Sequence, residues 1–288
     1  MKKIALLLLL LVSMMNVACD KPVGKGDIEM HVSYTANGCP LMTDSLCYVN
    51  EAGNQYMITE IQWFISNFEF QNNKGEWIPL DQIKYIDTNI PESQLLRLSS
   101  LPEGTYQKLR FTFGLDENDN VTGHFSNPPE RDMFWPEPLG GGYHYMKLNG
   151  KYLDENGDLA PMNIHLGIGQ NEDLTVFFQN YFTVELPLEL VVKSDGVNTI
   201  QLNMNIDNWF RSPNTYDITA FGSAIMQNQE AQQLLKENGH DVFTIKTNND
   251  MKSLPEISKQ ISRMAAPKPH FMTWENLKQT LSDIKERL

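Results

Sequence analysis

The sequence predicts a mainly β fold, an antiparallel β-sandwich or barrel with a few short helices towards the C-terminus. Apolar residues recur at every second position in several segments; near the start, Ile28, Met30 and Val32 alternate with Glu29 and His31. This period is typical of a half-buried strand. Turn-forming glycine, asparagine and aspartate residues separate the segments. Short strands joined in this way are typical of antiparallel sheets.

The strand pattern extends over most of the chain, and the helical pattern is confined to its last quarter. Strands are predicted within residues 28–34, 56–70, 106–115, 143–148, 163–169, 174–178, 183–192 and 199–206. A helix is predicted from Asn228, whose amide can cap it, to Asn238, with Gly239 as the glycine that ends it. Further helices are predicted to begin near Ser253 and Thr273.

The N-terminus has the pattern of an exported lipoprotein. Two lysines precede an apolar run that is too short to span a membrane, and Cys19 follows a small residue. We therefore predict a signal peptide at residues 1–18 and a lipid on Cys19 that tethers the protein to the cell envelope. Plain secretion with a free cysteine is the alternative. The predicted organisation continues with a tether at 19–27, a β domain at 28–246, and a linker and helical extension at 247–288.

The charge balance excludes one class of partner. The formal net charge is −13, and removal of the signal peptide with its two lysines makes the mature chain more acidic still. Such a surface repels phosphate backbones, so nucleic acid is not an expected partner. Cys39 and Cys47 would remain in an oxidising compartment, where a pair of cysteines most often forms a disulfide. A two-thiol Cu(I) site is the alternative.

The segment 133–148 combines a tryptophan, three consecutive glycines, and a histidine followed two positions later by a methionine. Glycines allow positive φ and a close approach of the backbone to other groups. If the segment is a strand, His144 and Met146 lie on one face. Imidazole and thioether together suit copper. Trp135 is either a core aromatic or the neighbour of a redox metal. A glycine turn that leads into an aromatic strand is the alternative without a metal.

Other residues could complete or replace such a site. His165 lies in a strand-like segment, and His31 lies on the first strand, on the polar face opposite to Tyr34. Neighbouring strands can bring such side chains together, and histidine is the commonest metal ligand. Oxygen ligands alternate at Asp116, Asn118 and Asn120, which makes calcium a further candidate, although the glycine and glutamate of an EF-hand loop are absent. A solvated acidic turn is the alternative.

Hydrolase motifs are absent from the sequence. It contains no Gly-x-Ser-x-Gly, no His-Glu-x-x-His and no phosphate-binding glycine loop followed by lysine. Carboxylates are plentiful, but nothing in the sequence singles out a pair for glycoside hydrolysis. We therefore predict a protein that binds without turnover, and a redox enzyme at the same site is the weakest hypothesis.

A series of ordered blocks resembles the MbnP-like family, the periplasmic copper-binding proteins associated with methanobactin operons, over residues 28–245. The blocks include Ile58-Thr59-Glu60-Ile61-Gln62-Trp63-Phe64-Ile65-Ser66-Asn67, Phe111-Thr112-Phe113-Gly114-Leu115-Asp116, Met133-Phe134-Trp135, Gly142-Tyr143-His144-Tyr145-Met146, Ile164-His165-Leu166-Gly167, Asn208-Trp209-Phe210 and Ile225-Met226-Gln227-Asn228.

The resemblance implies an antiparallel β architecture and copper held by histidines beside a tryptophan that relatives oxidise to kynurenine. His165 and Trp135 match the family by position, and the role of His144 is our own inference. Tyr34 stands where members often carry a first-strand histidine. The proposed metal residues are therefore His165 and His144, completed by Met146 and by either Tyr34 or His31.

Two hypotheses follow for the function. The first is a lipid-anchored protein of the bacterial cell envelope, periplasmic or surface-exposed, that binds a copper ion or a copper chelate for uptake, storage or delivery. The second is a surface module of the same fold that recognises a glycan or an envelope protein through its aromatic residues.

Overall fold

The computed structural model describes residues 23–196 and 198–247. The predicted signal peptide, the lipid on Cys19 and the helices that begin near Ser253 and Thr273 lie outside the described residues. The first strand begins at Lys25, so the end of the predicted tether belongs to the β domain. The last described strand ends at Thr247.

Strands dominate the described part of the chain. They are β1 (Lys25–Ala36), β2 (Cys39–Pro40), β3 (Tyr48–Val49), β4 (Gln55–Asn72), β5 (Trp77–Leu80), β6 (Lys84–Asp87), β7 (Leu95–Pro102), β8 (Gly104–Phe113), β9 (Met146–Leu153), β10 (Leu159–Leu166), β11 (Gly169–Gln170), β12 (Phe177–Phe178), β13 (Phe182–Val192), β14 (Asn198–Asn205) and β15 (Phe243–Thr247). The α-helices are α1 (Ile218–Phe221) and α2 (Gln229–Asn238), and 3-10 turns lie at Pro91–Gln94, Glu130–Met133, Glu137–Leu139, Ile206–Phe210 and Gly239–Asp241.

The strands form two main sheets. In the first sheet the order is β15-β14-β1-β2, with β7 paired to β1; in the second it is β10-β9-β4-β8-β13, with β3, β5 and β6 paired to β4. A small ribbon, β11-β12, stands apart. The mainly β fold with antiparallel sheets is confirmed. Among the strand pairs within residues 23–196 and 198–247, one departs from the antiparallel rule: β1 runs parallel to β14. These two strands are far apart in sequence, so no hairpin fixes their relative direction.

The two sheets pack face to face over an aromatic core. Trp63 on β4 contacts Phe243 on β15 with ring centroids 5.4 Å apart. The indole N–H of Trp63 donates to the hydroxyl of Tyr34 on β1 at 3.0 Å. Both contacts join one sheet to the other, as expected for a sandwich whose inner faces carry the alternating apolar residues.

The register of β9 decides which side chains point inward. Met146 pairs with Leu166 on β10 and with Trp63 on β4, and all three are fully buried. Lys147, one position later, pairs with His165 and with Gln62. Because strand side chains alternate between faces, this second set lies on the outer face of the sheet. The outer face of β10-β9-β4 therefore carries His165.

Helix α2 is confirmed, with Asn228 before its first residue, Asn238 as its last residue and Gly239 directly after it. The Asn228 side chain accepts a hydrogen bond from the N–H of Ala231 at 3.0 Å, so it is the N-cap. Gly239 follows the helix as predicted; its φ is −59°, which other residues also adopt, and the chain continues into a 3-10 turn. Its glycine identity has a steric reason instead, because a Cβ at this position would run into the ring of Phe182.

The predicted disulfide is not formed in the structure. Cys39 and Cys47 are both free and exposed. Cys39 lies on β2, which pairs with β1 in the first sheet, whereas Cys47 precedes β3, which pairs with β4 in the second sheet. The two cysteines thus lie near the two ends of the segment that connects the first sheet to the second.

Candidate metal site

The glycine-rich segment forms a tight hairpin before β9. Phe134 and Tyr143 form an isolated bridge. The N–H of Trp135 donates to the carbonyl of Gly142 at 2.8 Å, and the N–H of His144 donates to the carbonyl of Met133 at 2.7 Å. His144 therefore ends a hairpin and precedes the strand, which begins at Met146. The strand predicted for residues 143–148 starts later than expected.

Three successive left-handed glycines allow this hairpin to close. Gly140, Gly141 and Gly142 have φ values of 113°, 69° and 78°, as the sequence predicted. Side chains rarely tolerate such backbone angles. Asn120 packs so closely against Gly142 that a Cβ there would collide with its amide. The same amide oxygen accepts the N–H of Tyr143 at 2.7 Å, which fixes the hairpin on the body of the domain.

The side chain of Trp135 is buried next to His144. Its side chain is 1% exposed, and its indole N–H donates to the carbonyl of Leu139 at 3.0 Å. A Cβ built on Gly167 would lie 2.5 Å from a carbon of the indole ring, so only glycine permits this packing. The ring of His144 stands edge-on to Trp135, with centroids 4.7 Å apart.

His144 carries a ring nitrogen that has no hydrogen-bond partner among the described residues. Its Nδ1 lies 2.9 Å from the carbonyl oxygen of Met133. Because a carbonyl only accepts, Nδ1 carries the proton and Nε2 carries the lone pair. The Nε2 atom is buried and makes no hydrogen bond. Buried polar atoms without a partner are uncommon and costly, so this one calls for an explanation.

His165 lies beside His144. The two imidazole rings have centroids 5.0 Å apart and an interplanar angle of 81°. His165 is half-buried on β10, and its Nε2 is 2.9 Å from the amide oxygen of Asn149 on β9. Two imidazoles from separate segments of the chain thus meet on the outer face of the second sheet.

Both imidazole rings stay uncharged at pH values well below 7. Burial lowers the pKa of His144 to about 3, and the neighbouring His165 contributes to the shift. Burial also lowers the pKa of His165 to about 4, with a further contribution from the charge of Lys147. Neutral imidazole is the form that binds metal ions.

The two histidines line a cavity of about 460 Å³. Its lining residues are Glu60, Gln62, Asp132, Phe134, Pro136, His144, Lys147, Asn149, His165 and Met226. A second cavity, of about 410 Å³, shares Pro136, His165 and Met226 with the first. Met226 is half-buried and lines both cavities, as His165 does.

The structure brings together some of the predicted residues and separates others. His144, His165 and Trp135 are neighbours. Met146 is fully buried on the inner face of β9 and does not line the cavity that contains the histidines. The prediction that His144 and Met146 share one face of a strand is wrong, because the strand begins only after His144.

The two first-strand candidates lie elsewhere. Tyr34 is buried between the sheets, where its hydroxyl accepts from Trp63 and burial raises its pKa. His31 is exposed on the outer face of β1. They occupy opposite faces of the strand, as predicted, and neither lines the cavity.

The acidic turn proposed for calcium is held by the protein's own donors. Asp116 Oδ1 accepts the N–H groups of Asn118 and Asp119 at 2.9 and 3.2 Å, and Oδ2 accepts from Asn67 at 3.0 Å. The amide oxygen of Asn120 accepts from Tyr143. Within residues 23–196 and 198–247, no three His, Cys, Asp or Glu side chains are grouped to hold a metal ion.

Sequence reasoning missed several residues of the cavity. Met226 belongs to a block that carried the family resemblance, but the distance along the chain hid its proximity to His165. Asn149 and Lys147 follow the histidine of the glycine-rich segment by a few residues, and Asn149 pairs with Glu60 on β4. Because side chains of a strand alternate between its faces, Lys147 and Asn149 lie on the same face of β9. This is the face that carries His165.

Comparisons with known proteins agree with this architecture. The model of the MbnP family matches residues 25–229. Among solved structures, the chain is similar to MbnP from Methylosinus trichosporium, with 14% identity and a TM-score of 0.52, over 78% of this chain and 100% of that one. No curated protein matches the sequence. No helix within residues 23–196 and 198–247 is long and apolar enough to cross a membrane.

Proposed function

The chain belongs to the MbnP family, and from this premise we propose that it binds copper without turnover in the bacterial cell envelope. His144 and His165 are the imidazole ligands in this proposal. The copper is cargo, taken up as an ion or as a chelate for uptake, storage or delivery. The association of the family with methanobactin makes a copper chelate a suitable ligand.

The unpartnered Nε2 of His144 is the observation that carries the proposal. A buried lone pair without a donor costs free energy on the order of 1–3 kcal/mol. A metal ion bound there would satisfy it. The Nδ1–H of the same ring donates to the Met133 carbonyl at 2.9 Å, which is the arrangement that orients metal-binding histidines in other proteins.

Met226 supports copper over harder metals. Met226 lines both cavities, as His165 does, and thioether and imidazole together favour copper, especially Cu(I). Met226 thus takes the place that the sequence assigned to Met146. Trp135 closes the site on the side of His144 and would lie next to the bound ion.

The charges around the cavity are compatible with a cationic ligand. Lys147 donates to the carbonyl of Asp132 at 2.8 Å, and burial lowers its pKa. The carboxylates of Glu60 and Asp132 also line the cavity. They offset the lysine, so the site carries no excess of positive charge that would repel a copper ion.

A copper titration tests the proposal. The mature chain, residues 20–288, is titrated with Cu(I) against a chromophoric chelator and separately with Cu(II). We expect one tightly bound Cu(I), and His144→Leu should abolish it. The matched control is His31→Leu, which removes an exposed imidazole from the other sheet. Binding no tighter than for an unrelated acidic protein, or equal binding by wild type and His144→Leu, would contradict the proposal.

Trp135 offers a separate test of the site. Relatives resembling this chain oxidise the matching tryptophan, and the contact of Trp135 with His144 at 4.7 Å would put its indole beside the copper. Mass spectrometry of the peptide that contains Trp135, after growth with ample copper, measures its oxidation. An unmodified residue would remove the oxidised tryptophan from the proposal and leave the copper titration to decide the rest.

The exposed ring of Phe134 favours a second candidate function, recognition of a glycan or an envelope protein. Its side chain is 62% exposed and lines the cavity. Exposed aromatic rings are common anchors in binding surfaces. If this is the function, Phe134→Ser would abolish retention on a glycan array or on an envelope protein fraction while His144→Leu would not.

A further inference from the structure

A chain of side-chain hydrogen bonds ends on the ring of His165. The amide oxygen of Asn149 lies 2.9 Å from His165 Nε2. The amide nitrogen of Asn149 donates to Glu60 Oε2 at 3.1 Å. The other carboxylate oxygen of Glu60 accepts from Asn89 at 2.9 Å. The order is therefore Asn89, Glu60, Asn149 and His165.

The direction of this chain follows from Glu60. A carboxylate that receives two amide donors acts as acceptor only, so Asn149 must turn its NH₂ group towards it. The oxygen of Asn149 then faces His165, and His165 must donate from Nε2. Its lone pair is left on Nδ1. In contrast, the Met133 carbonyl holds the proton of His144 on Nδ1 and leaves the lone pair on Nε2.

From these contacts we propose that Asn149 and Glu60 are positioning residues that fix His165 as the Nε2–H tautomer, opposite to that of His144. The atoms presented to a ligand are then Nδ1 of His165 and Nε2 of His144. This inference rests on the proposed function for its purpose, since a defined pair of lone pairs is what a metal ion requires.

A bulge in β4 puts Glu60 in reach of Asn149. Ile58 pairs with Gly150, and Glu60 pairs with Asn149, so Thr59 is an extra residue in the ladder. Without it, Thr59 and not Glu60 would stand opposite Asn149. Bulges re-aim side chains and are common beside functional sites.

Gly150 fits the same bulge. A Cβ at Gly150 would collide with the carbonyl of Met57, because the bulged strand approaches β9 closely there. The bulge and its glycine therefore bring a carboxylate to the outer face of the sheet, where it orients the amide beside His165.

The test is nuclear magnetic resonance of the mature chain with ¹⁵N-labelled histidine, which reports the protonated nitrogen of each neutral ring. The copper-free protein should show His165 protonated on Nε2 and His144 on Nδ1. Asn149→Leu should give His165 a mixture of tautomers and leave His144 unchanged. Glu60→Leu removes the acceptor that orients the amide of Asn149 and should also give His165 a mixture of tautomers.

Copper affinity gives the second readout. Asn149→Leu should weaken Cu(I) binding roughly tenfold to a hundredfold, as loss of an orienting partner does in other metal sites. Asn203→Leu is the matched control: it removes an amide that bonds Ser33 and Thr35 on the outer face of the first sheet, and it should leave Cu(I) affinity unchanged.

The outcomes separate this inference from the proposed function. Protonation of His165 on Nδ1 in the copper-free wild type, or a single unchanged tautomer in Asn149→Leu, would overturn the positioning role. A wild-type protein that has both assigned tautomers but binds no copper would support the positioning role and contradict copper binding. If Asn149→Leu does not fold, the wild type and Glu60→Leu decide by the tautomer of His165.

Discussion

The histidine cavity and the acidic turn both carry residues that bind metals, and they differ in what those residues already bind. In the cavity, His144 Nε2 is buried without a partner. In the turn, both oxygens of Asp116 and the amide oxygen of Asn120 accept hydrogen bonds from the protein. The oxygen atoms of the turn therefore stabilise the loop itself, whereas the cavity contains a nitrogen atom, His144 Nε2, that can bind a ligand.

This contrast shows that ligand type alone does not predict a metal site. Carboxylates that cap a turn lose their lone pairs to backbone donors. An imidazole whose other nitrogen is tied to a carbonyl keeps one lone pair for an outside ligand. Changes to the cavity should therefore lower copper affinity, and changes to the turn should not.

Among changes that keep both histidines, crowding Trp135 should have the largest effect. Gly167→Ala puts a Cβ against the indole of Trp135, so the domain should lose about 1–3 kcal/mol of stability, measured by urea unfolding. Because Trp135 packs on His144, Cu(I) affinity should fall roughly a hundredfold. Gly196→Ala is the control, since a Cβ there meets nothing within 4 Å. Equal stability and equal Cu(I) affinity of the two variants would contradict the proposed packing role of Trp135 beside His144.

Loss of the thioether should have an intermediate effect. Met226→Leu keeps the apolar volume and removes the sulfur, so Cu(I) affinity should fall about tenfold while Cu(II) affinity changes little. Met146→Leu is the matched control, because Met146 faces the core. A larger loss of Cu(I) affinity in Met146→Leu than in Met226→Leu would show that Met146, the ligand suggested by the sequence, binds the copper and that Met226 does not.

Acidification should have a small effect on copper binding down to about pH 5. The folded-state pKa values of His144 and His165 are lowered to about 3 and about 4, so protons compete with the metal only below this range. Two solvated histidines would instead lose up to about tenfold each per pH unit below about 6.5. Titrations with Cu(I) at pH 7 and pH 5 distinguish these two results.

The same pKa values predict the pH dependence of stability without copper. Between about pH 6.5 and 4, the unfolded chain binds protons on these histidines and the folded chain does not. The stability that they contribute is therefore complete above about pH 6.5 and decreases as the pH falls. His144→Leu should reduce this decrease in urea unfolding between pH 7 and pH 5; an identical slope in both proteins would contradict the burial of a neutral ring.

A change in the acidic turn should leave copper affinity unaltered. Asp116→Ala removes three accepted hydrogen bonds and should cost about 1–3 kcal/mol of stability. We also expect that calcium does not raise the melting temperature of the wild type relative to a chelator control. A calcium-dependent increase that Asp116→Ala abolishes would show that the turn binds the ion and would remove the contrast between the two regions.

The sequence predicted the fold better than the site because its signals are local. The alternation in β1 and β14 and the capping amide of Asn228 act within a few residues, and the structure has them as predicted. The parallel pairing of β1 with β14 and the bulge at Thr59 depend on partners distant in sequence. Met226 is also distant in sequence from His144 and His165, so the sequence did not indicate that it lines the same cavity. It indicated Met146 instead, whose side chain the register of β9 places in the core.

The most direct test of the account is X-ray absorption spectroscopy of the mature chain loaded with one Cu(I). We predict two nitrogen scatterers and one sulfur scatterer in the first coordination shell, with the sulfur lost in Met226→Leu and one nitrogen lost in His144→Leu. A copper environment of oxygen alone, or one unchanged in His144→Leu, would contradict a site built on the free nitrogen of His144.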